Sequence, residues 1–135
     1  PPIYYWEDLG KIISAVTGFK EYENIKELKK LAARICHLRR AFNVRLGWTK
    51  KNDALHPRFT EEPMPSGPAK GQVVNLEPML KEYYEFRQYD WETGLPTRPE
   101  LENVGLSDVA VELKKRKKLV EKYKDKKNKI LQFFK

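Results

Sequence analysis

LAARICHLRRAFNVRLGW, residues 31–48, reads as the end of a long amphipathic helix that breaks at Gly47 into an extended, proline-rich loop. Leu31, Ile35, Leu38, Phe42 and Leu46 recur at spacings of three and four, the period of a helix that buries one stripe. Arg34, Arg39, Arg40 and Arg45 interrupt or flank that stripe, beside Asn43. Two readings stand: a core helix, or the wall of a site.

Working upstream, the same period continues back through Leu28 to Ile25, where Asn24 and Glu27 form a capping-box-like start. Gly47 is a natural left-handed terminator. Before this helix, Glu7 to Val16 carries Leu9, Ile12, Ile13 and Val16 at helical spacing, and Thr17-Gly18 stops it. Gly10 weakens that first helix by about 1 kcal/mol relative to alanine, so it depends on tertiary contacts.

Downstream, residues 48–74 hold four prolines, two glycines and no sustained period. So long a segment is expected to be an ordered strap across a helical bundle or a ligand-contacting loop. Leu55, Phe59, Met64, Val73 and Val74 are expected to pack along a surface, with Pro63, Pro65 and Pro68 stiffening the path. Asn75 caps the next helix, which has Pro78 in its first turn and an apolar and aromatic face of Leu76, Met79, Leu80, Tyr83, Tyr84 and Phe86. DWETGLPT (90–97) is a turn, Thr97-Arg98-Pro99-Glu100 is a capping box, and Gly105 ends that short helix. Ser107 opens a last helix expected to run toward Phe134. With no alternating strand-like segment, the expectation is an all-α, multihelical domain over 1–111 with a long proline-rich ordered loop. Residues 112–135 would be a lysine-rich C-terminal helical extension.

The chain of 135 residues is one domain in size. Its net charge of +8 is not spread evenly. Residues 112–135 hold 11 of the 27 lysines and arginines against three acids, Glu112, Glu121 and Asp125, whereas residues 1–111 balance at 16 of each. Basicity is thus a property of the tail. Arg116 is its one arginine, and its aromatics are Tyr123, Phe133 and Phe134. That composition fits weak phosphate attraction to nucleic acid better than base readout. A single cysteine, Cys36, excludes an internal disulfide, cannot by itself supply a zinc or iron–sulfur site, and favours a reducing, cytoplasmic setting. No apolar run approaches the roughly 20 residues of a bilayer span, and no secretory leader is visible. The start at Pro1 fits a processed chain or a piece of something longer. High Lys, Glu and Arg usage suits a thermophile.

Catalytic candidates are few. Cys36 and His37 adjoin on one helix, which turns their side chains about 100° apart, poor geometry for a nucleophile and its base. His56 reads as a surface histidine, and Glu82, Glu85 and Asp90 as solvated carboxylates. No glycine-rich phosphate loop, HExxH or metal-spaced cluster occurs.

RAFNVRLGWTKKNDALHPRF, residues 40–59, resembles the C-terminal region of the aldehyde ferredoxin oxidoreductase family, which typically writes RxFNxRxGxxxxDDxLPxR there. The likeness continues through EEPMPSGPAKGQVV (61–74) and LEPMLKEYYEFRQYDWETGLPTRPELENVGL (76–106), and ISAVTGF (13–19) looks like the family's short AxTG turn. It covers roughly residues 9–113 in one continuous order. His56 departs from the pattern, standing where the family has proline. The resemblance implies a carboxyl-terminal domain, subunit or remnant of a tungstopterin aldehyde:ferredoxin oxidoreductase, an enzyme that oxidises aldehydes to carboxylic acids. Tungstopterin, an iron–sulfur cluster and ferredoxin belong to the complete family enzyme. No catalytic, cofactor or metal ligand carries over to this chain, which would not be catalytic alone and could serve a separately encoded pterin-binding chain. Arg40, Asn43, Arg45 and Trp48, with the 63–71 loop, are the expected partner or channel surface. The alternative is a non-enzymatic helical binding module that uses its basic tail on nucleic acid or another acidic partner.

Overall fold

The computed structural model describes residues 5–123. Helix α1 (Trp6–Thr17) ends where Gly18 takes a φ of 80°. A short 3-10 turn, Lys20–Glu23, leads into α2 (Ile25–Arg45), whose first turn is capped by the Asn24 side chain accepting from the Lys26 amide at 2.9 Å. After a second 3-10 turn at Lys50–Asn52 come α3 (Pro57–Glu61), α4 (Leu76–Arg87), α5 (Arg98–Asn103) and α6 (Ser107–Lys115). Among the described residues there is no strand, only isolated bridges joining Tyr89 to Pro96 and Thr97 to Val120. The all-α expectation holds.

Gly10 has a role that helix propensity does not suggest. It is buried, and a Cβ there would stand 2.4 Å from the Tyr22 carbonyl oxygen. Its bare backbone lets the 3-10 turn lie directly on α1, while Ser14 Oγ donates to the Phe19 carbonyl at 2.8 Å and closes the corner. Gly10→Ala should therefore destabilise the chain by about 1–3 kcal/mol in a urea titration, overpacking outweighing the roughly 1 kcal/mol gain in helix propensity. A more stable variant would show that the corner yields without cost.

The main core lies between α2, α5 and α6: Ala41, Val44, Leu101, Val104, Leu106, Ala110 and Leu113 form one cluster. On α2 the inward face from Ala33 onward is therefore Ala33, His37, Ala41 and Val44, with Arg40 beside it. That corrects the sequence expectation. The stripe read as buried lies roughly 150° round the helix at about 100° per residue, and most of it faces outward: Ile35 is 51% exposed, Leu38 48%, Phe42 52% and Leu46 69%. Hydrophobic periodicity found a real face of α2, but one its own domain does not cover.

The last helix also differs. It ends at Lys115, and Lys117 turns left-handed with φ 57°. A helix running on toward Phe134 would carry Leu119 and Val120 past the end of the core. Turning back lets Leu119 pack against the core cluster, while Val120 bonds across Thr97: its amide donates to the Pro96 carbonyl at 3.1 Å, and its carbonyl accepts from the Arg98 amide at 2.9 Å. Glu121 clamps this return, pairing with Arg98 at 2.6 Å and Lys114 at 3.0 Å. Residues 124–135, half of the lysine-rich extension, lie outside the described residues, and its nucleic-acid reading lies partly with them.

Hydrogen bonds from Arg98 and then Lys114 pull the Glu121 carboxyl down to about 2. A depressed acid stabilises the fold fully above its unfolded value of 4.5 and loses that contribution as pH falls through about 2. Amides of 118–121 should therefore keep their protection from hydrogen exchange at pH 5 and lose it between roughly pH 4 and 2, with Glu121→Gln abolishing the dependence.

The long loop closes on itself more than on the bundle. The Val74 amide donates to the Phe59 carbonyl at 2.8 Å, the Met64 amide to the Gln72 carbonyl at 3.0 Å, and the Gly71 amide to the Met64 carbonyl at 2.9 Å. Leu55, Phe59, Met64 and Val73, expected to pack along a surface, are instead exposed. Small residues, prolines and glycines let the chain satisfy its own backbone over a short path, leaving these side chains on the outside.

Candidate functional site

Arg40 organises the centre of the molecule. Its Nε donates to the Gly94 carbonyl at 2.8 Å, Nη1 pairs with Asp53 at 2.7 Å, and Nη2 donates to the Tyr84 hydroxyl at 3.1 Å. Tyr84 in turn donates to Asp53 Oδ2, and Trp48 Nε1 donates to Asp53 Oδ1 at 2.9 Å. The guanidinium also lies 5.2 Å from the Tyr89 ring centroid. Four separate segments thus converge on one side chain: α2, the 48–53 turn, α4 and the 90–97 turn. Burial, then the bond to Asp53, push the Tyr84 hydroxyl above its ordinary range, so it stays protonated and keeps donating.

Gly94 completes the arrangement. Its φ is 74°, and a Cβ there would come 2.3 Å from Arg40 Nη2 and 2.8 Å from the Tyr84 oxygen. The Lys50 amide meets the neighbouring Thr93 carbonyl at 3.0 Å. Glycine here serves both the left-handed turn and the close approach of the arginine.

Of the four expected surface residues, Arg40 is buried and faces this network. Asn43 is half-buried, and its carbonyl closes the end of α2 by accepting from the Leu46 and Trp48 amides, both at 3.0 Å. Trp48 is partly exposed and bonded to Asp53, while Arg45 is exposed, with its guanidinium 5.2 Å from the Phe42 ring centroid. Asn43, Arg45 and Trp48 thus border the outward apolar face of α2, and Arg40 braces it from behind. Asp53 and Tyr84 were not singled out from the sequence. The available signal was the aspartate pair in the family pattern, whose second member falls on Asp53.

Beside that face lies a shallow groove of about 230 Å³ between α2 and α6. Leu38, Ala41, Phe42, Val109 and Leu113 supply apolar walls, with Arg45 on one rim and Asp108 and Glu112 on the other. A hydrogen bond from Arg116 holds the Glu112 carboxyl below its ordinary range. Across α1, Trp6, Leu9, Ile12 and Val16 are exposed as well, as is Phe19 just beyond it. Large apolar side chains are thus exposed on the outward faces of both α1 and α2.

Cys36 and His37 have separate partners. Arg87 Nη2 lies 3.6 Å from the Cys36 sulfur. The His37 ring is fully buried, edge-on to Tyr89 at 5.5 Å, with Nε2 3.3 Å from Glu100 Oε1. That contact lies off the line of a proper hydrogen bond, so both ring nitrogens lack a well-formed partner. His56 caps α3, its Nδ1 accepting from the Arg58 amide at 3.2 Å. Among the described residues, no three His, Cys, Asp or Glu side chains stand together as a metal-binding set, and no helix is long and apolar enough to cross a membrane.

Comparison with known proteins gives one consistent result. The family model described as "Aldehyde ferredoxin oxidoreductase, domains 2 & 3" matches residues 1–106. A tungsten-containing aldehyde ferredoxin oxidoreductase of Pyrococcus horikoshii is 41% identical over 103 residues, and one of Thermococcus kodakarensis is 34% identical over the same length. Each match covers 76% of this chain but 16% of the relative. An aliphatic sulfonate oxidoreductase, WOR-like subunit, of Pyrococcus furiosus is 37% identical over 120 residues, covering 84% of this chain and 19% of that protein. The chain therefore spans less than a fifth of the length of these relatives.

Proposed function

Because this chain belongs to the aldehyde ferredoxin oxidoreductase family, matching its domains 2 and 3 over residues 1–106, we propose that it is the carboxyl-terminal helical part of such an enzyme, as a domain or a separate subunit. Its work is structural: it packs against the remaining, cofactor-bearing body and completes the helical wall beside the cofactor and substrate channel. The observation that carries this reading is the apolar stripe Ile35, Leu38, Phe42 and Leu46, which points away from the domain's own core. Isolated helices do not keep such a face exposed without a partner to bury it. Asn43, Arg45 and Trp48 supply the polar border of the contact, and the Arg40 network fixes the backbone that presents it.

The complete enzyme would oxidise an aldehyde to its carboxylic acid and pass the electrons to ferredoxin. Tungstopterin and an iron–sulfur cluster would supply that chemistry. The residues of this chain do not fit the cluster. A cluster needs about four thiolates, whereas Cys36 is the chain's one cysteine and its sulfur is already engaged by Arg87. In this reading the redox steps belong to the rest of the enzyme.

The test uses the purified chain and a polypeptide comprising the remainder of a family enzyme. Alone, the chain should carry neither tungsten nor iron by elemental analysis and should not oxidise aldehydes with a viologen acceptor. Mixed with the remainder, the two should co-elute, and aldehyde oxidation should rise. Metal or activity in the chain alone would overturn the proposal, as would two partners that never co-elute.

A further inference from the structure

A second concavity lies where α4, the 90–97 turn and the returning segment meet. Its volume is about 470 Å³, inside the roughly 300–1,000 Å³ typical of small-ligand sites. The walls are aromatic, with Tyr84, Tyr89, Trp91 and Tyr123 all contributing. The charges are Glu85, Asp90 and Glu92 against Lys81. Asp90 is partly committed, accepting from the Thr93 hydroxyl at 2.6 Å and the Thr93 amide at 2.9 Å. Glu85 and Glu92 are exposed.

A further observation points to an occupant. Thr97, fully buried, lines the cleft, and its Oγ1 has no hydrogen-bond partner among the described residues, nor does the hydroxyl of the lining, buried Tyr89. A buried hydroxyl without a partner costs free energy unless something else supplies one.

We propose that this cleft binds a primary alkylammonium group. The methylenes would lie on the aromatic walls, the ammonium would sit among the carboxylates within the field of the ring faces, and Thr97 Oγ1 would accept one of its three protons. An anion would meet three carboxylates, and a neutral apolar ligand would leave both the carboxylates and the hydroxyls unsatisfied. Two sources present this chemistry. One is a free aliphatic amine. The other is this chain itself, since Lys124, Lys126, Lys127 and Lys129 follow directly on Tyr123, which forms part of the wall. The site is separate from the α2 face, so the inference stands whether or not the family interface does.

The experiment adds cadaverine to the full 135-residue chain at low salt and follows the Trp91 indole N–H resonance, assigned with Trp91→Phe. The expected result is a saturable shift in the millimolar range. Glu85→Gln and Glu92→Gln should each weaken it by roughly two- to fivefold, and added salt should weaken it further. The second arm is the full-length variant K124Q/K126Q/K127Q/K129Q. If the parent is silent and this variant binds cadaverine, the tail's own lysines hold the cleft. If both bind alike, free amine is the ligand. Silence in both chains overturns the proposal, and so does an equal shift with glutarate, a dianion of similar length.

Discussion

Arg40→Leu should lower the unfolding free energy by about 3–5 kcal/mol, at the lower end because water still reaches part of Asp53. The expected size follows from what the substitution strands. Arg40 supplies the countercharge of Asp53, a donor to the Gly94 carbonyl and a donor to the Tyr84 hydroxyl. Without it, a largely buried carboxylate loses its counterion, and a carbonyl at the 90–97 turn loses its partner. Tyr84→Phe removes a single hydroxyl and should cost only about 1 kcal/mol. The double variant Arg40→Leu/Asp53→Leu should recover a large part of the loss, since an uncompensated buried charge costs more than an absent pair. Guanidinium chloride unfolding of the parent, Arg40→Leu, Asp53→Leu and the double variant completes the cycle. An Arg40→Leu chain within about 1 kcal/mol of the parent would mean that the network is decoration around an independently stable core.

Leu38→Glu/Phe42→Glu should do the opposite in one respect. The unfolding free energy of the isolated chain should fall by only about 1–2 kcal/mol, since both side chains are about half-exposed and outside the core cluster, though they border it at Ala41 and Leu113. Binding to the remainder of the enzyme should weaken by at least about a hundredfold, since two apolar anchors are lost and two carboxylates would have to be desolvated. Calorimetric titration against the remaining polypeptide reads the affinity, and a denaturant curve on the same sample reads the fold. Unchanged affinity with an intact fold would remove the α2 stripe from the interface. A collapse in stability would show that the stripe serves the domain's own core after all.

The order of helices was largely legible in the sequence, because punctuation is local. Gly18, Asn24, Gly47, Pro78 and Gly94 act through backbone conformation within a few residues, and each lies where a helix or turn begins or ends. Asn75 and Thr97 stand at N-caps as expected, although neither side chain makes the capping bond. The end of α6 was not legible. Lysines continue past Lys115 with good helix propensity, and the return is decided by Leu119 reaching the core cluster and Val120 reaching Thr97, contacts that no local signal announces.

By itself, then, the sequence determined the all-α class, the family and the long α2 with an apolar stripe of helical period. Only the tertiary structure decided which way α2 faces. Hydrophobic periodicity reports that a face will be buried, not by what, and a chain spanning less than a fifth of its relatives can reserve its most apolar face for a body outside itself. Inside, the small side chains Ala33, Ala41 and Val44 allow α2 to lie close on α6. Arg40, which sequence reading set among the surface residues, is affordable as a buried group because Asp53, Tyr84 and the Gly94 carbonyl arrive from three other segments to satisfy it. Partners 13, 44 and 54 residues away are a property of the fold, beyond the reach of any local pattern.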